Sequence, residues 1–466
     1  MWEKLKAQFE NTFSFKFSRN QWKDIKRLLF EIHRRDNLKY EEILDKIKKD
    51  TSINKVGGRN KFFTIKKDLI AIRFPITSSY ETIDTRNVFL TEIKKSLHTN
   101  LKPSKEFKPQ HIFVEKGASP SYLLSKFKNK FPNLRIDELN YYADYLKNNK
   151  FSLSNLKKPI VFIVKERWDF IKPCPCTKYH LGCNYWIFNL GMGCPFDCSY
   201  CFLQAYSNFP GIVLPSNLDD FFTRFNDFYK KINRPLRIGT GEFCDSLALD
   251  DITDYSRQLI DFFRDKPLYF ELKTKSDNIK NVLKNKPSPN IVISWSLNPQ
   301  TIIDSEEKAT ASLQERIISA EKIQKKGFPL GFHFDPIIHF EGWHKLYKEV
   351  IDKLYHYLNP PFKWISLGTL RGSRNLKDIV EQRFPETNIF YGELFLGEDK
   401  KLRYPKLLKK EIYKNMIKWI KEYDKKTPVY LCMEDRDTWQ IMDKRFNSSN
   451  QIEKYLLSKI NQKLKI

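Results

Sequence analysis

From residue 235 onward, short apolar runs alternate with longer amphipathic stretches. PLRIGTGE, PLYFELKTK, NIVISWSLN, PLGFHFDPII, KWISLGTL and PVYLCME read as strands. DDITDYSRQLIDFFRD, SLQERIISAEKIQKKG and WHKLYKEVIDKLYHYL, lying between them, read as helices. Strand–helix alternation at this spacing predicts an α/β fold with a parallel sheet and crossover helices, whose chemistry gathers at the carboxyl ends of the strands. Upstream, HIFVEK and IVFIV read as strands and SPSYLLSKFKNKF and IDELNYYADYLKN as helices, giving a small α/β region over residues 106–182. The polar stretch LKPSKEFKPQ reads as a linker before it. Nearer the amino terminus, WKDIKRLLFEIHRR and YEEILDKIKK predict two helices, and the Gly57–Gly58 turn precedes a strand-like FFTIKKDLIAIRF. Helix, helix, hairpin predicts a basic amino-terminal α+β accessory domain over 1–105, winged-helix-like in outline. The core then spans 183–440, with a carboxyl-terminal helical tail over 441–466. No internal repeat is evident.

Charge adds a class of partner. Lys and Arg number 82 against 56 Asp and Glu, a net +26. Residues 1–172 hold 37 basic and 20 acidic side chains (37 − 20 = +17), so the front of the chain carries most of the excess. Cations release counterions when they meet phosphates, which makes a nucleic acid the expected partner; a generally lysine-rich composition gives the same number without one. Hydrophobic residues make up 41% of the chain, enough for a full core and against disordered, collagen-like or coiled-coil classes. No run approaches the roughly 18 apolar residues of a membrane span, and MWEKLKAQFE lacks the apolar segment of a secretion signal. The expectation is a cytoplasmic protein; oligomeric state is not set.

Cysteines carry the chemistry. Of eight, Cys174, Cys176, Cys183, Cys194, Cys198 and Cys201 crowd one stretch, while Cys244 and Cys432 stand apart. In a cytosolic chain such clustering points to metal or redox chemistry rather than disulfides. GMGCPFDCSYC spaces Cys194, Cys198 and Cys201 as C-x3-C-x2-C. Three thiolates so placed can ligate three irons of a [4Fe–4S] cluster, leaving the fourth iron open. Zinc is the alternative, with Cys183 as a possible fourth ligand. Cys174, Cys176 and Cys183 form either a second metal or redox site or a loop beside the pocket.

C-x3-C-x2-C with Tyr200 before its last cysteine resembles the radical S-adenosylmethionine (SAM) superfamily. CPFDCSYCFLQ, GEFCDSLALDDIT, KTKSDNIKNVL, SWSLNPQ, ATASLQERIISAEKIQKKGFPLGFHFDPI, HFEGW and PVYLCME, in that order, resemble the spore photoproduct lyase and DNA repair photolyase-like family. The blocks fall between HIFVEK and PVYLCME, residues 111 to 434. The resemblance implies a partial (β/α)6 TIM-type barrel of the radical SAM type. It implies a [4Fe–4S] cluster on Cys194, Cys198 and Cys201, and SAM chelated to the open iron and cleaved by one electron to a 5′-deoxyadenosyl radical. A reductant such as flavodoxin or ferredoxin would supply that electron. Cofactor contacts implied are Tyr200, the Gly239–Thr240–Gly241–Glu242 strand end, Lys275, Ser296 and Asn298, with His333, Asp335 and Pro336 framing the adenosine.

The implied reaction is carbon–carbon bond scission in a thymine photoproduct of DNA, with a thiol or 5′-deoxyadenosine returning hydrogen. In the family a cysteine on the strand after the cluster donates that hydrogen. Here Glu242 occupies the place and Cys244 follows two residues on, expected to share its face on an extended strand. Cys244 is therefore the candidate donor, and Tyr404, in KKLRYPK, the candidate radical relay. Two other readings stay open: a radical SAM enzyme acting on RNA, a peptide or a metabolite, and a non-catalytic zinc-stabilised nucleic-acid-binding protein.

Overall fold

The structure, a computed structural model, describes residues 1–80, 83, 88–97 and 105–458. They divide into two compact units. The first comprises residues 1–97, 338–341 and 370–409; the second comprises 98–337, 342–369 and 410–466.

The second unit is built on an eight-stranded sheet. Seven strands run parallel: β1 (Trp186–Phe188), β2 (Arg237–Thr240), β3 (Tyr269–Thr274), β4 (Ile291–Ser296), β5 (Leu330–Ile337), β6 (Trp364–Thr369) and β7 (Val429–Leu431). They follow one another in that order across the sheet, and the antiparallel strand Ile171–Pro173 covers the outer edge of β1. Every residue of β2, β4 and β6 is buried, as expected of strands covered on both faces. The predicted helices pack between the strands as Tyr255–Phe263, Leu313–Lys326 and Trp343–Tyr357. This is the expected partial α/β barrel. Strand β1, only three residues long, escapes the sequence pattern and supplies the strand from whose end the cysteine loop departs. A four-stranded parallel sheet of Ile136–Leu139, His111–Glu115, Ile160–Val164 and Ile212–Pro215 belongs to the same unit. IDEL is therefore a strand and not part of a helix, because pairing with residues 112–115 settles its conformation. The expected separation of 106–182 from the core is not found. The tail forms the helix Ser449–Leu457; residues 459–466, and part of the expected linker, lie outside the described residues.

The first unit corrects the winged-helix-like expectation. FFTIKKDLIAIRF is helical within Gly58–Arg73, and residues 1–80 form helices alone, among them Trp2–Phe13, Arg19–Asp36 and Tyr40–Lys48. Ser18 caps the second of these and Gln21 bonds back, a capping box. The strands of this unit come instead from residues 370–409, a three-stranded antiparallel sheet of Arg371–Ser373, Lys401–Arg403 and Phe395–Leu396. The core predicted as continuous over 183–440 is thus interrupted.

Buried charge organises this unit. Glu31 accepts hydrogen bonds from Arg27 (2.8 Å), Arg73 (2.7 Å) and Lys377 (2.5 Å), and Arg27 also binds Glu381. Burial raises the Glu31 carboxyl pKa, but Lys377, Arg27 and Arg73 outweigh it and hold the group well below its usual range. Burial lowers the Lys377 ammonium to about 8 despite Glu31.

Candidate radical site at the carboxyl ends of the barrel strands

The cysteine loop leaves β1 and is fastened on both sides. Met192 pairs with Val213 of the small sheet. Gly191 and Gly193 have φ of 113° and 94°, and a Cβ there would sit 2.1 Å from the Val213 carbonyl and 2.8 Å from that of Gly211. Only glycine serves in GMG. On the other side, Asp197 and Cys198 pair antiparallel with Lys308 and Glu307. Gln204 donates to the carbonyls of Cys198 (3.1 Å) and Ser199 (2.8 Å), and Lys157 to that of Cys194 (2.9 Å).

This loop gathers the three expected ligands. Burial, then Glu307, raises the Cys198 thiol pKa, with Lys275 opposing and Cys201 and Cys194 adding like charge. Burial raises the Cys194 thiol to about 12 against the pull of Lys157. The donor set is three sulfur groups that feel one another, Cys198 buried and Cys194 and Cys201 half-buried, with cations from outside the loop. That set fits a polynuclear cluster bringing its own positive charge.

Glu307 is a buried hub that sequence reasoning missed. It accepts from the Tyr200 hydroxyl, from Asn298 Nδ2 at 2.8 Å and from Arg316 at 2.5 Å, while Lys275 Nζ stands 3.9 Å away. Burial disfavours its charge, but Arg316 and Lys275 prevail and hold the carboxyl at about 2. Tyr347 donates to Asn298 Oδ1 (2.8 Å). Three predicted cofactor contacts, Tyr200, Lys275 and Asn298, thus converge on one carboxylate, and Lys275 also lies 5.7 Å from the Tyr200 ring. Ser296 is buried, and its carbonyl accepts from Arg316 (2.9 Å).

The Gly239–Glu242 segment closes on β3. The Thr240 and Ser246 hydroxyls are 2.5 Å apart, and Glu242 forms an ion pair with Lys273. Strand β2 ends at Thr240 and Gly241 turns at φ 96°, so Glu242 and Cys244 do not continue an extended strand as expected. Their surroundings differ: Glu242 meets Lys273, whereas Cys244 lies by Cys194 and Asp245, its thiol raised to about 12 chiefly by burial. His333 bonds Glu271 inside the barrel (2.8 Å), alongside Ser294 and Trp364 (2.9 Å) on the same carboxylate. Tyr404 lies in the first unit, buried, its hydroxyl accepting the His339 backbone N–H at 2.9 Å. A cavity of about 390 Å³ behind the cysteine loop is lined by Lys157, Lys158, Cys194, Asp197, Gln204 and Phe209 among others, and reaches none of the predicted SAM contacts.

The family model of spore photoproduct lyase matches residues 107–427. The chain belongs to the spore photoproduct lyase family. The spore photoproduct lyase of Bacillus subtilis (strain 168) is 26% identical over 296 residues, spanning 61% of this chain and 84% of that protein. That of Clostridium acetobutylicum is 25% identical over 236 residues, 50% of this chain and 68% of the relative. Among solved structures, a cysteine-to-serine variant of spore photoproduct lyase superposes with a TM-score of 0.61 at 22% identity, over 71% of this chain and all of that one. The lyase complexed with dinucleoside spore photoproduct gives the same values. As a member of this family the chain is a radical SAM lyase, and its cofactors are a [4Fe–4S] cluster and SAM. The non-catalytic zinc reading is thereby overturned. Residues 1–106 lie outside the family match.

Proposed function

We propose that this chain repairs a thymine photoproduct of the spore-photoproduct type in DNA. Cys194, Cys198 and Cys201 would hold the cluster, and Lys275 would meet the carboxylate of SAM. Tyr200, Ser296, Asn298 and the Gly239–Glu242 segment line its site. The cluster held by Cys194, Cys198 and Cys201, with SAM, would supply the one-electron chemistry that starts hydrogen abstraction. The chain's own residues fix the reacting groups. Glu307 sets the orientation of Tyr200 and Asn298, Arg316 neutralises Glu307, and the paired segments 197–198 and 307–308 keep the cysteine loop from shifting. The single observation that carries the reading is this fastened three-cysteine loop, placed in a chain that matches the family over 107–427. A lyase of the same fold is known with dinucleoside spore photoproduct bound, which supports the lesion as substrate.

The remaining partners follow from chemistry. The net charge of +26 suits DNA phosphates and an acidic one-electron donor such as flavodoxin or ferredoxin. Among the described residues no helix is long and apolar enough to cross a membrane.

The test is anaerobic reconstitution with iron and sulfide, then SAM, dithionite and a dinucleoside spore photoproduct, with chromatography for restored thymines. Cofactor cleavage that never yields thymine refutes the repair reading. It would support the second reading, a radical enzyme on RNA, a peptide or a metabolite, for which the engagement of Glu242 with Lys273 speaks.

A further inference from the structure

SINKVGGRNKFFTIKKDLIAIR, residues 52–73, holds six cations and one acid (6 − 1 = +5), in the part of the chain outside the family match. Three of the cations are engaged within the first unit. Arg73 donates to Glu31, Lys66 pairs with Asp24 at 2.6 Å and Lys61 donates to the Phe13 carbonyl at 2.9 Å. The other three, Lys55, Arg59 and Lys67, are exposed, and among the described residues no carboxylate forms an ion pair with them.

Helical period brings these together. Arg59, Phe63 and Lys67 stand four apart and share one stripe of the helix Gly58–Arg73. The one acid, Asp68, lies about 180° round the helix from Arg59 at 3.6 residues per turn. Lys55 ends the short helix Ser52–Lys55 just before the stripe. The stripe is held still from behind: Phe62, Ile65 and Leu69 are buried in the same core as Ile25, Leu28 and Ile32 of helix Arg19–Asp36. The Phe62 and Phe63 rings meet at 5.3 Å, and the Arg59 guanidinium lies 5.4 Å from the centre of the Phe63 ring. Phe63 is 41% exposed, so its ring belongs to the surface and not to the core. An arginine laid against a ring is already ordered, and loses less freedom when an anion arrives.

We propose that Lys55, Arg59, Phe63 and Lys67 form a docking face for the phosphate backbone of the DNA duplex that carries the lesion. The inference rests on the DNA substrate proposed above and gives that substrate a further place of contact. Charge complementarity argues for this occupant. Arg59 and Lys67 are about 12 Å apart along the axis at 1.5 Å per residue. Duplex DNA carries about seven phosphate charges over such a length, at one per 1.7 Å. No acid interrupts the stripe, which suits an evenly charged polyanion better than a protein surface, where both signs alternate. Phosphate contacts fix where a protein sits on the duplex and carry no sequence information. That suits an enzyme whose target is a lesion and not a sequence.

The experiment uses the full chain. Binding of a fluorescein-labelled undamaged DNA duplex of several helical turns is followed by anisotropy at rising salt. In Lys55→Glu/Arg59→Glu/Lys67→Glu the Kd should rise at least about tenfold, and the slope of log affinity against log salt should fall by about 2.7, three contacts at 0.9 each. Lys322→Glu/Lys325→Glu/Lys326→Glu makes the same change in net charge at exposed positions of the helix Leu313–Lys326 and should move both far less. Equal losses in the two variants would mean that DNA reads only the total charge, and overturn the proposal. DNA binding unchanged, with slower reduction by an acidic protein donor, would give the face to that donor and overturn it too. An RNA duplex bound more tightly than DNA by wild type overturns the DNA assignment. Circular dichroism reports folding, and Lys55→Gln/Arg59→Gln/Lys67→Gln should show a smaller loss in the same direction. Turnover by the reconstituted enzyme separates this face from the radical site. For a lesion in a long duplex the variant's KM should rise with kcat kept, while dinucleoside spore photoproduct, which offers no flanking backbone, is repaired as by wild type. Loss of dinucleoside repair in the variant overturns the proposal. If wild type itself leaves the dinucleoside untouched, the repair reading falls, while the binding arm still decides the face.

Discussion

Glu31 and Glu307 are buried carboxylates ringed by cations, one in each unit, and they use the same electrostatics for different ends. Glu31 meets Arg27, Arg73 and Lys377, partners on helices 19–36, 58–73 and 374–383. Its ligands lie up to 346 residues from it in sequence, and its role is to hold distant segments in one fold. Glu307 has one strong cation, Arg316, and gives its other capacity to Tyr200 and Asn298. A buried charge is costly unless fully paired. The first site completes the pairing with cations alone. The second completes it with Tyr200 and Asn298, the side chains proposed to line the cofactor site, so burying its charge also fixes where those two side chains stand.

That contrast can be broken from either side. The largest effect falls on the site itself: Cys198→Ala should abolish iron binding, visible absorption and formation of 5′-deoxyadenosine together, as an iron assay and chromatography would show. Cofactor cleavage at the wild-type level would refute the ligand assignment. In the first unit, Glu31→Ala leaves Arg27, Arg73 and Lys377 buried without their shared anion. Chemical denaturation should show a loss of about 3–5 kcal/mol, and a loss near zero would mean the cluster is relaxed by water.

Glu307→Gln tests the other half. Arg316 loses its charge partner, and SAM cleavage should fall about 10–100-fold with the iron content kept, as for partners that orient ligands. An unchanged rate would separate Glu307 from the cofactor site. The smallest effect is in acid. Glu307 titrates at about 2 in the folded chain against an ordinary 4.5, so its contribution to stability is complete above about 4.5 and disappears as pH falls through about 2. Denaturation between pH 5 and 2 should therefore be less steep in Glu307→Gln than in wild type.

The barrel was legible because its strands are apolar on both faces and the helices between them keep a helical period. All six strands read from β2 to β7 are present. The helix Gly58–Arg73 was not. Its buried Phe62, Ile65, Leu69 and Arg73 recur at helical spacing, but exposed Phe63 and half-exposed Ile72 fill the gaps with apolar character, and Gly57–Gly58 mimics a hairpin turn. The C-x3-C-x2-C loop was legible because spacing alone encodes it. Glu307 was not, since a glutamate in SEEKATAS looks like a solvated charge until Tyr200 and Arg316 are seen on it.

The loop of residues 174–185, between the edge strand Ile171–Pro173 and β1, reaches past β7, where Leu181 pairs with Glu434. An open half-barrel offers two bare rims of unpaired backbone groups on which another chain can add a strand. Here one rim carries the three-residue strand Ile171–Pro173, ending in an imino acid that cannot donate. The other is met just beyond β7 by the Leu181–Glu434 bridge. The same short loop, met at both rims, thus shields the sheet from edge-to-edge association with other molecules.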